Sequence, residues 1–216
     1  MDGFVIARGG MVTVSLTLIS GCFGQKSHID LGPVPAGVTV DAKLQYYDVT
    51  AASLTDLRRG MIQLGPRWEG RSYQAVTQSR FRWGYVVESA RSSVDSASSM
   101  LCQPRKVRVT VQTVVVFPRW NPSAEPDSAM LEWWHQLNAG LMEHERGHAR
   151  LSVKTAGDIA KSLEAMAPVP CDDLARQVSS AGQQRIIVER RQQVEYDRST
   201  RHGATQIEQA SRLRSP

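Results

Sequence analysis

MLEWWHQLNAGLMEHERGHARL, residues 130–151, carries the spacing on which the fold turns. Met130, Trp134, Leu137 and Leu141 are separated by steps of four, three and four, the repeat that lines side chains up on one face of an α-helix. Continuing the same steps reaches His144, His148 and Leu151, so two imidazoles occupy the stripe that should face the core. A buried imidazole without a partner is unfavourable, and one shared metal ion would satisfy both rings. Asp127 or Ser128, after Asn121-Pro122 and Pro126, can cap the start of this helix. Ile159 and Leu163 extend its apolar face, and Pro168 and Pro170 stop it.

Within that stretch, His144-Glu145-Arg146-Gly147-His148 has the spacing in which two imidazoles four residues apart project toward one zinc ion. Glu145, roughly 100° round the helix, can then serve as general base toward a zinc-polarised water that attacks a carbonyl, most commonly that of a peptide bond. Gly147 inside the helix costs on the order of 1 kcal/mol against alanine and marks a close approach by something else. A catalytic zinc needs a third protein ligand and an open fourth position. Of the five histidines, His28 falls in a polar leader segment, and His135 lies about 13 Å along the helix axis from His144. His202, followed by Gly203, is therefore the expected third ligand, with Asp197 its main competitor and Glu164 and Glu189 behind. Tyr196 is a candidate hydrogen-bond donor to a transition-state oxyanion.

Around the helix the pattern changes to a period of two. Residues 42–49 read as a short strand, and Ser53 with Asp56 starts a helix through Leu54, Leu57, Met61 and Leu64 that Gly65-Pro66 ends. Between Tyr73 and Val87 the odd positions include Phe81, Trp83 and Tyr85 while arginines and glutamines fill the even ones, a strand or hairpin with one buried face. Trp83 and Tyr85 could line a cleft or pack the core. A Ser/Ala-rich loop over 89–101 and a strong strand from Val107 to Phe117, terminated by Pro118, follow. Beyond Cys171-Asp172-Asp173 a charged helix runs to about Tyr196, and the tail from Thr205 reads as polar and frayed. The expected class is α+β: an antiparallel sheet packed on a long metal-binding helix and a C-terminal helix.

The amino terminus points to export. Arg8 precedes the apolar run 11–18, too short to span a bilayer, and Ile19-Ser20-Gly21-Cys22 resembles a bacterial lipobox. Residues 1–21 then form a lipoprotein signal peptide and Cys22 takes the lipid, which places the protein in the cell envelope, anchored to a membrane and facing the periplasm or exterior. Residues 22–37, rich in Gly and Pro, read as a tether, residues 38–206 as the folded domain, and 207–216 as a tail. With Cys22 lipidated, Cys102 and Cys171 remain as a pair that an oxidising compartment would join. A net charge of +5 without a basic stripe or aromatic platforms gives no support to nucleic-acid binding.

Several strings together resemble the DUF922 family, described as predicted secreted zinc-dependent proteases of bacteria. They are Tyr46-Tyr47-Asp48-Val49; Leu57-Arg58 with Met61 and Gly65-Pro66; Arg82-Trp83-Gly84-Tyr85; Pro118-Arg119-Trp120; the 144–148 motif; and Tyr196-Asp197-Arg198-Ser199-Thr200-Arg201-His202-Gly203. The resemblance spans about residues 42–206 and implies a zincin-like fold and activity, with His144 and His148 as ligands, Glu145 as base and His202 as third ligand. The expected function is hydrolysis of a peptide or protein substrate, with a peptidoglycan peptide as one form of it. The alternative is a non-catalytic envelope lipoprotein that holds a structural zinc and binds cell-wall polymer or a protein partner.

Overall fold

A computed structural model of the chain describes residues 4–7, 29–68, 70–91 and 100–214. Cys22 and His28 lie outside the described residues. In chain order the elements are strands β1 (Phe4–Ala7) and β2 (Val38–Ala51), helix α1 (Leu54–Leu64), the short pair β3 (Arg67–Trp68) and β4 (Arg71–Ser72), and strands β5 (Val76–Arg91) and β6 (Met100–Pro122). Helix α2 (Ser128–Glu164), strand β7 (Val169–Pro170), a 3-10 turn (Cys171–Asp173), and helices α3 (Leu174–Ser199) and α4 (Ala204–Arg214) complete the set. β1 falls within the expected signal peptide. Among the described residues no helix is long and apolar enough to cross a membrane.

The class is α+β, but the sheet is mixed rather than antiparallel. Its order is β1-β5-β6-β2, with β5 antiparallel to β6 and β2 parallel to β6 from Val38↔Val109 to Ala51↔Pro122. Residues 52–75, with α1 and the β3–β4 pair, carry the chain past the end of β6 from β2 to β5, which runs back antiparallel before β6 begins, so β2 and β6 point the same way. Along β6 the side chains of Val107, Val109, Val111, Thr113, Val115 and Phe117 are all buried, and Trp83 and Tyr85 of β5 join the same core. The two aromatics are packing residues, Trp83 resting where a side chain at Gly182 of α3 would otherwise stand. α2 lies against this sheet through Leu137, Leu141, Val153, Ala156, Ile159 and Leu163, each fully buried aliphatic contributing roughly 1.5–3 kcal/mol.

The helix starts follow their sequence signals. The Ser53 hydroxyl accepts the Asp56 amide at 3.1 Å, and the Asp127 carboxylate accepts the Met130 amide at 2.7 Å, each satisfying a donor that has no partner inside its helix. Other boundaries differ. β6 runs through Pro118 because the β5 ladder has already ended at Val76↔Val116, so on that side the missing amide proton serves no strand. Residues 89–91, expected in a loop, pair with residues 100–102. A bulge between Gly84 and Val86 leaves Lys106 and Val107 out of the ladder, and Glu164 at the end of α2 accepts both amides, at 3.2 and 2.9 Å. The expected tether is packed from residue 29 onward, where Ile29 and Leu31 are buried and Pro35 sits against Gly157 of α2.

The expected frayed tail is instead α4, docked on α2. A Cβ at Gly140 would lie 2.4 Å from the Ile207 Cα, so glycine is what lets the two backbones meet. The Ser211 hydroxyl adds a hydrogen bond to Gln136 at 2.9 Å. Beyond the end of α2, β7 pairs with β6 at Leu101 and Cys102, and a disulfide joins Cys102 to Cys171, 69 positions apart in sequence. Replacing both cysteines with serine is expected to lower the unfolding free energy by about 4 kcal/mol through loop entropy. A guanidinium titration checks it, and a change below about 1 kcal/mol would assign that closure to the β6–β7 pairing instead.

Candidate metal centre

α2 and α3 run antiparallel and present matching polar residues at helical steps of four: His144, His148 and Ser152 on one, Asp197, Gln193 and Glu189 on the other. Side chains four apart share a face, so the two rows interdigitate along the seam. At its open end His144 Nε2 and His148 Nε2 are 3.1 Å apart, and Asp197 Oδ1 lies 3.3 and 3.0 Å from them. His144 is buried while the Asp197 side chain keeps 32% of its exposure, so the convergence lies half-buried at the rim of the seam, within reach of solvent. These three residues form a group that can hold a metal ion.

The outer nitrogens decide what the inner ones present. The Thr200 hydroxyl donates to the Tyr196 carbonyl at 2.7 Å, and so accepts from His144 Nδ1 at 3.3 Å. Gln193 turns its amide nitrogen to acceptors, the Glu189 carboxylate at 2.6 Å and the His148 carbonyl at 3.1 Å, leaving its oxygen 2.6 Å from His148 Nδ1. Both rings therefore carry their proton on Nδ1 and aim an Nε2 lone pair at the Asp197 carboxylate. Three electron-rich atoms at such separations repel unless positive charge sits among them. The electrostatics agree. Burial pulls the His148 pKa down, but the Asp197 and Gln193 oxygens, which accept from the protonated ring, and the Glu145 charge outweigh it and raise the ring above its usual value. Burial likewise works against the Asp197 charge, yet both histidines hold that carboxyl far below the usual range.

Glu145 is the fourth member of the site. It is 3% exposed, its carboxyl pKa is raised by burial, and the Thr77 hydroxyl of β5 donates to it at 2.6 Å. It stands apart from the converging trio, on the sheet side of α2.

A family model described as "Bacterial protein of unknown function (DUF922)" matches residues 44–203. The chain belongs to the DUF922 family. No curated protein and no solved structure matches it.

The DUF922 match closes at Gly203, where the backbone turns sharply from α3 into α4. Arg201, His202 and Gly203 all have positive φ, at 51°, 52° and 89°. At Gly203 the conformation suits glycine alone, and a Cβ there would press on the His144 ring at 3.2 Å. His202, the expected third ligand, is not part of the trio: its side chain is 70% exposed, with Nδ1 3.7 Å from Asp197 Oδ1. Asp197 takes that place because it lies on the α3 face that meets α2, whereas residue 202 has already left the helix. His135 is exposed and Glu164 serves the β6 bulge, both away from the trio.

Tyr196, expected as an oxyanion donor, gives its hydroxyl to the His144 carbonyl at 3.2 Å and stacks on the His144 ring at a centroid distance of 5.2 Å. Its ring occupies the space left by Gly147, where a Cβ would lie 2.0 Å from the tyrosine oxygen. In this DUF922 chain Tyr196 is a packing residue that fixes the histidine pair. Sequence reading did not find Thr77, Ser152, Gln193 or Thr200. The repeat of Glu189, Gln193 and Asp197 in steps of four was a legible signal for Gln193; nothing in one dimension marked Thr77 as the partner of Glu145.

Gly147→Ala is expected to lower stability by about 1–3 kcal/mol, against a helix-propensity gain of about 1 kcal/mol. Combined with Tyr196→Ala it should cost clearly less than the two single changes summed. Thermal or denaturant unfolding of the four proteins tests this, and strict additivity would show that the two residues do not share the space.

Proposed function

We propose that this protein is a zinc metallopeptidase of the bacterial envelope, with His144, His148 and Asp197 as metal ligands and Glu145 as general base. The observation that carries the reading is the meeting of three lone pairs beside a buried carboxyl. Their separations of 3.0–3.3 Å approach the ~3.3–3.4 Å expected between ligands of a tetrahedral zinc bonded at 2.0–2.1 Å. Nitrogen and carboxylate donors suit that ion, and three protein ligands leave a fourth position for water or substrate. A helix carrying the histidines and packed on a sheet is the zincin-like element of the proposal.

Zinc held there would supply Lewis acidity, polarising a peptide carbonyl and acidifying water. The chain's own residues do the rest. Burial raises the proton affinity of Glu145, which suits it to accept a proton from the attacking water and return it to the leaving amine. Thr77 holds the carboxylate in place through its 2.6 Å hydrogen bond, and Tyr196 and Gly203 hold the His144 ring from opposite chain segments. The lipobox ending at Cys22 supports an anchored protein acting on peptide or protein outside the cytoplasm.

One observation favours a second reading. His202 Nδ1 lies 3.7 Å from the Asp197 ligand oxygen, close enough to serve as a fourth ligand after a small movement. A closed tetrahedron would make the zinc structural, in an envelope lipoprotein that binds cell-wall polymer or a protein partner. His202→Ala separates the two. The catalytic reading expects zinc content to stay at one per chain, and the structural reading expects it to fall together with the melting temperature.

Glu145→Gln should keep one zinc, by metal analysis, while cleavage of a fluorogenic peptide library or of cell-wall fragments drops about 10²–10⁴-fold. Undiminished turnover in that variant would remove the mechanism. Zinc affinity should also depend on pH in a defined direction. Protonated His148 cannot bind metal, and its pKa is raised, so affinity is complete above that pKa and falls as pH drops through it. The expected loss is about tenfold per unit or more, beginning above the usual imidazole value. Chelator competition between pH 5 and 8 measures it; a flat profile would exclude His148 as a ligand.

A further inference from the structure

Glu189 is a buried acid with no cationic partner among the described residues. Removing a carboxylate from water in this way is costly, and an apolar side chain of similar size commonly serves stability as well. Its bonding shows a use for the charge. Oε1 receives the Ser152 hydroxyl at 2.9 Å and the Gln193 amide nitrogen at 2.6 Å.

The two ends of the Gln193 amide have nearly the same shape, so its sense depends on what surrounds it. Turned over, its oxygen would stand 2.6 Å from the Glu189 oxygen, two acceptors face to face. The His148 carbonyl at 3.1 Å favours the observed sense as well, more weakly because it is uncharged. The sense matters because Gln193 Oε1 sits 2.6 Å from His148 Nδ1 and requires a proton there. With the amide reversed, His148 would carry its proton on Nε2, aimed at Asp197 and His144.

We propose that Glu189 is a positioning residue of the metal centre, acting through Gln193 to hold His148 as the tautomer whose Nε2 lone pair faces Asp197 and His144. The inference rests on the metal-binding reading above and adds a residue two contacts removed from the ligand atoms. It also accounts for Ser152, whose hydroxyl lies 2.9 Å from the same Glu189 oxygen and 3.2 Å from the Gln193 nitrogen. The row Asp197, Gln193, Glu189 is then one device: ligand, orienter and the charge that sets the orienter.

The test uses the full chain with Glu189→Leu and Glu189→Gln, and two readouts that do not involve turnover. Zinc affinity, by competition with a chromophoric chelator, should fall about 10–100-fold in Glu189→Leu. It should fall by an intermediate amount, about 3–10-fold, in Glu189→Gln, whose amide oxygen still accepts from Gln193 but without the charge. Long-range proton–nitrogen NMR of the chelator-treated wild type should place the neutral His148 proton on Nδ1, and Glu189→Leu should shift it toward Nε2. A folded Glu189→Leu protein with wild-type zinc affinity overturns the inference alone. So does a wild-type His148 protonated on Nε2, which needs no variant to fold. A wild-type chain that takes up no zinc at all overturns the metal reading itself, and this inference with it.

Discussion

Two imidazole nitrogens and a carboxylate oxygen lie within 3.0–3.3 Å of one another in the seam between α2 and α3, the nitrogens made acceptors by the outer hydrogen bonds of their rings and the oxygen by its charge. Such a meeting is stable only around positive charge, and much of the surrounding sequence is arranged to maintain it. Thr200 and Gln193 set the two tautomers. Gly147 admits the Tyr196 ring that lies along both histidines, and Gly203 brings the α3–α4 turn flat against His144. Gly147, which costs helix propensity, and Gly203, which the left-handed turn requires, are thereby explained by what they let approach.

The sheet contributes rigidity and one chemical group. β6 is central, paired on both sides and buried along a whole face, so the helix resting on it is fixed over most of its length. From that face β5 extends Thr77 to the Glu145 carboxyl. Glu145 is thus held by the sheet and the His144, His148 and Asp197 group by the helix pair, two supports that meet only at α2. α2 is secured as well by Ile207 against Gly140 in its first half and by Glu164, its last residue, in the β6 bulge. The disulfide to Cys171 fixes the start of α3 close to that end.

Local signals along the chain were readable wherever the decisive interaction is local. The Ser53 and Asp127 caps, the alternation of β6 and the step pattern of α2 all depend on residues a few positions apart. The aromatic pair Trp83 and Tyr85 left two uses open, and burial in the core selected one. What escaped was set by neighbours distant in sequence. Pro118 reads as a strand end until the β5 ladder is seen to stop before it. A polar sequence after Thr205 reads as frayed until Gly140 is seen to receive Ile207.

Sequence alone determined the two histidines, the acid between them and their inward direction, because a helix of 3.6 residues per turn places residues four apart on one side whatever surrounds it. It pointed to His202 rather than Asp197 as the third group, and the structure brings Asp197 there instead. Both stand in the same short string around the end of α3 and both have suitable chemistry, but the choice depends on where α3 ends and which of its faces meets α2. The helix continues to Ser199 and the chain then turns through three residues of positive φ, carrying His202 outward and leaving Asp197 against the histidines. That selection belongs to the tertiary structure, since only the packing of two antiparallel helices brings groups some fifty positions apart to a single point.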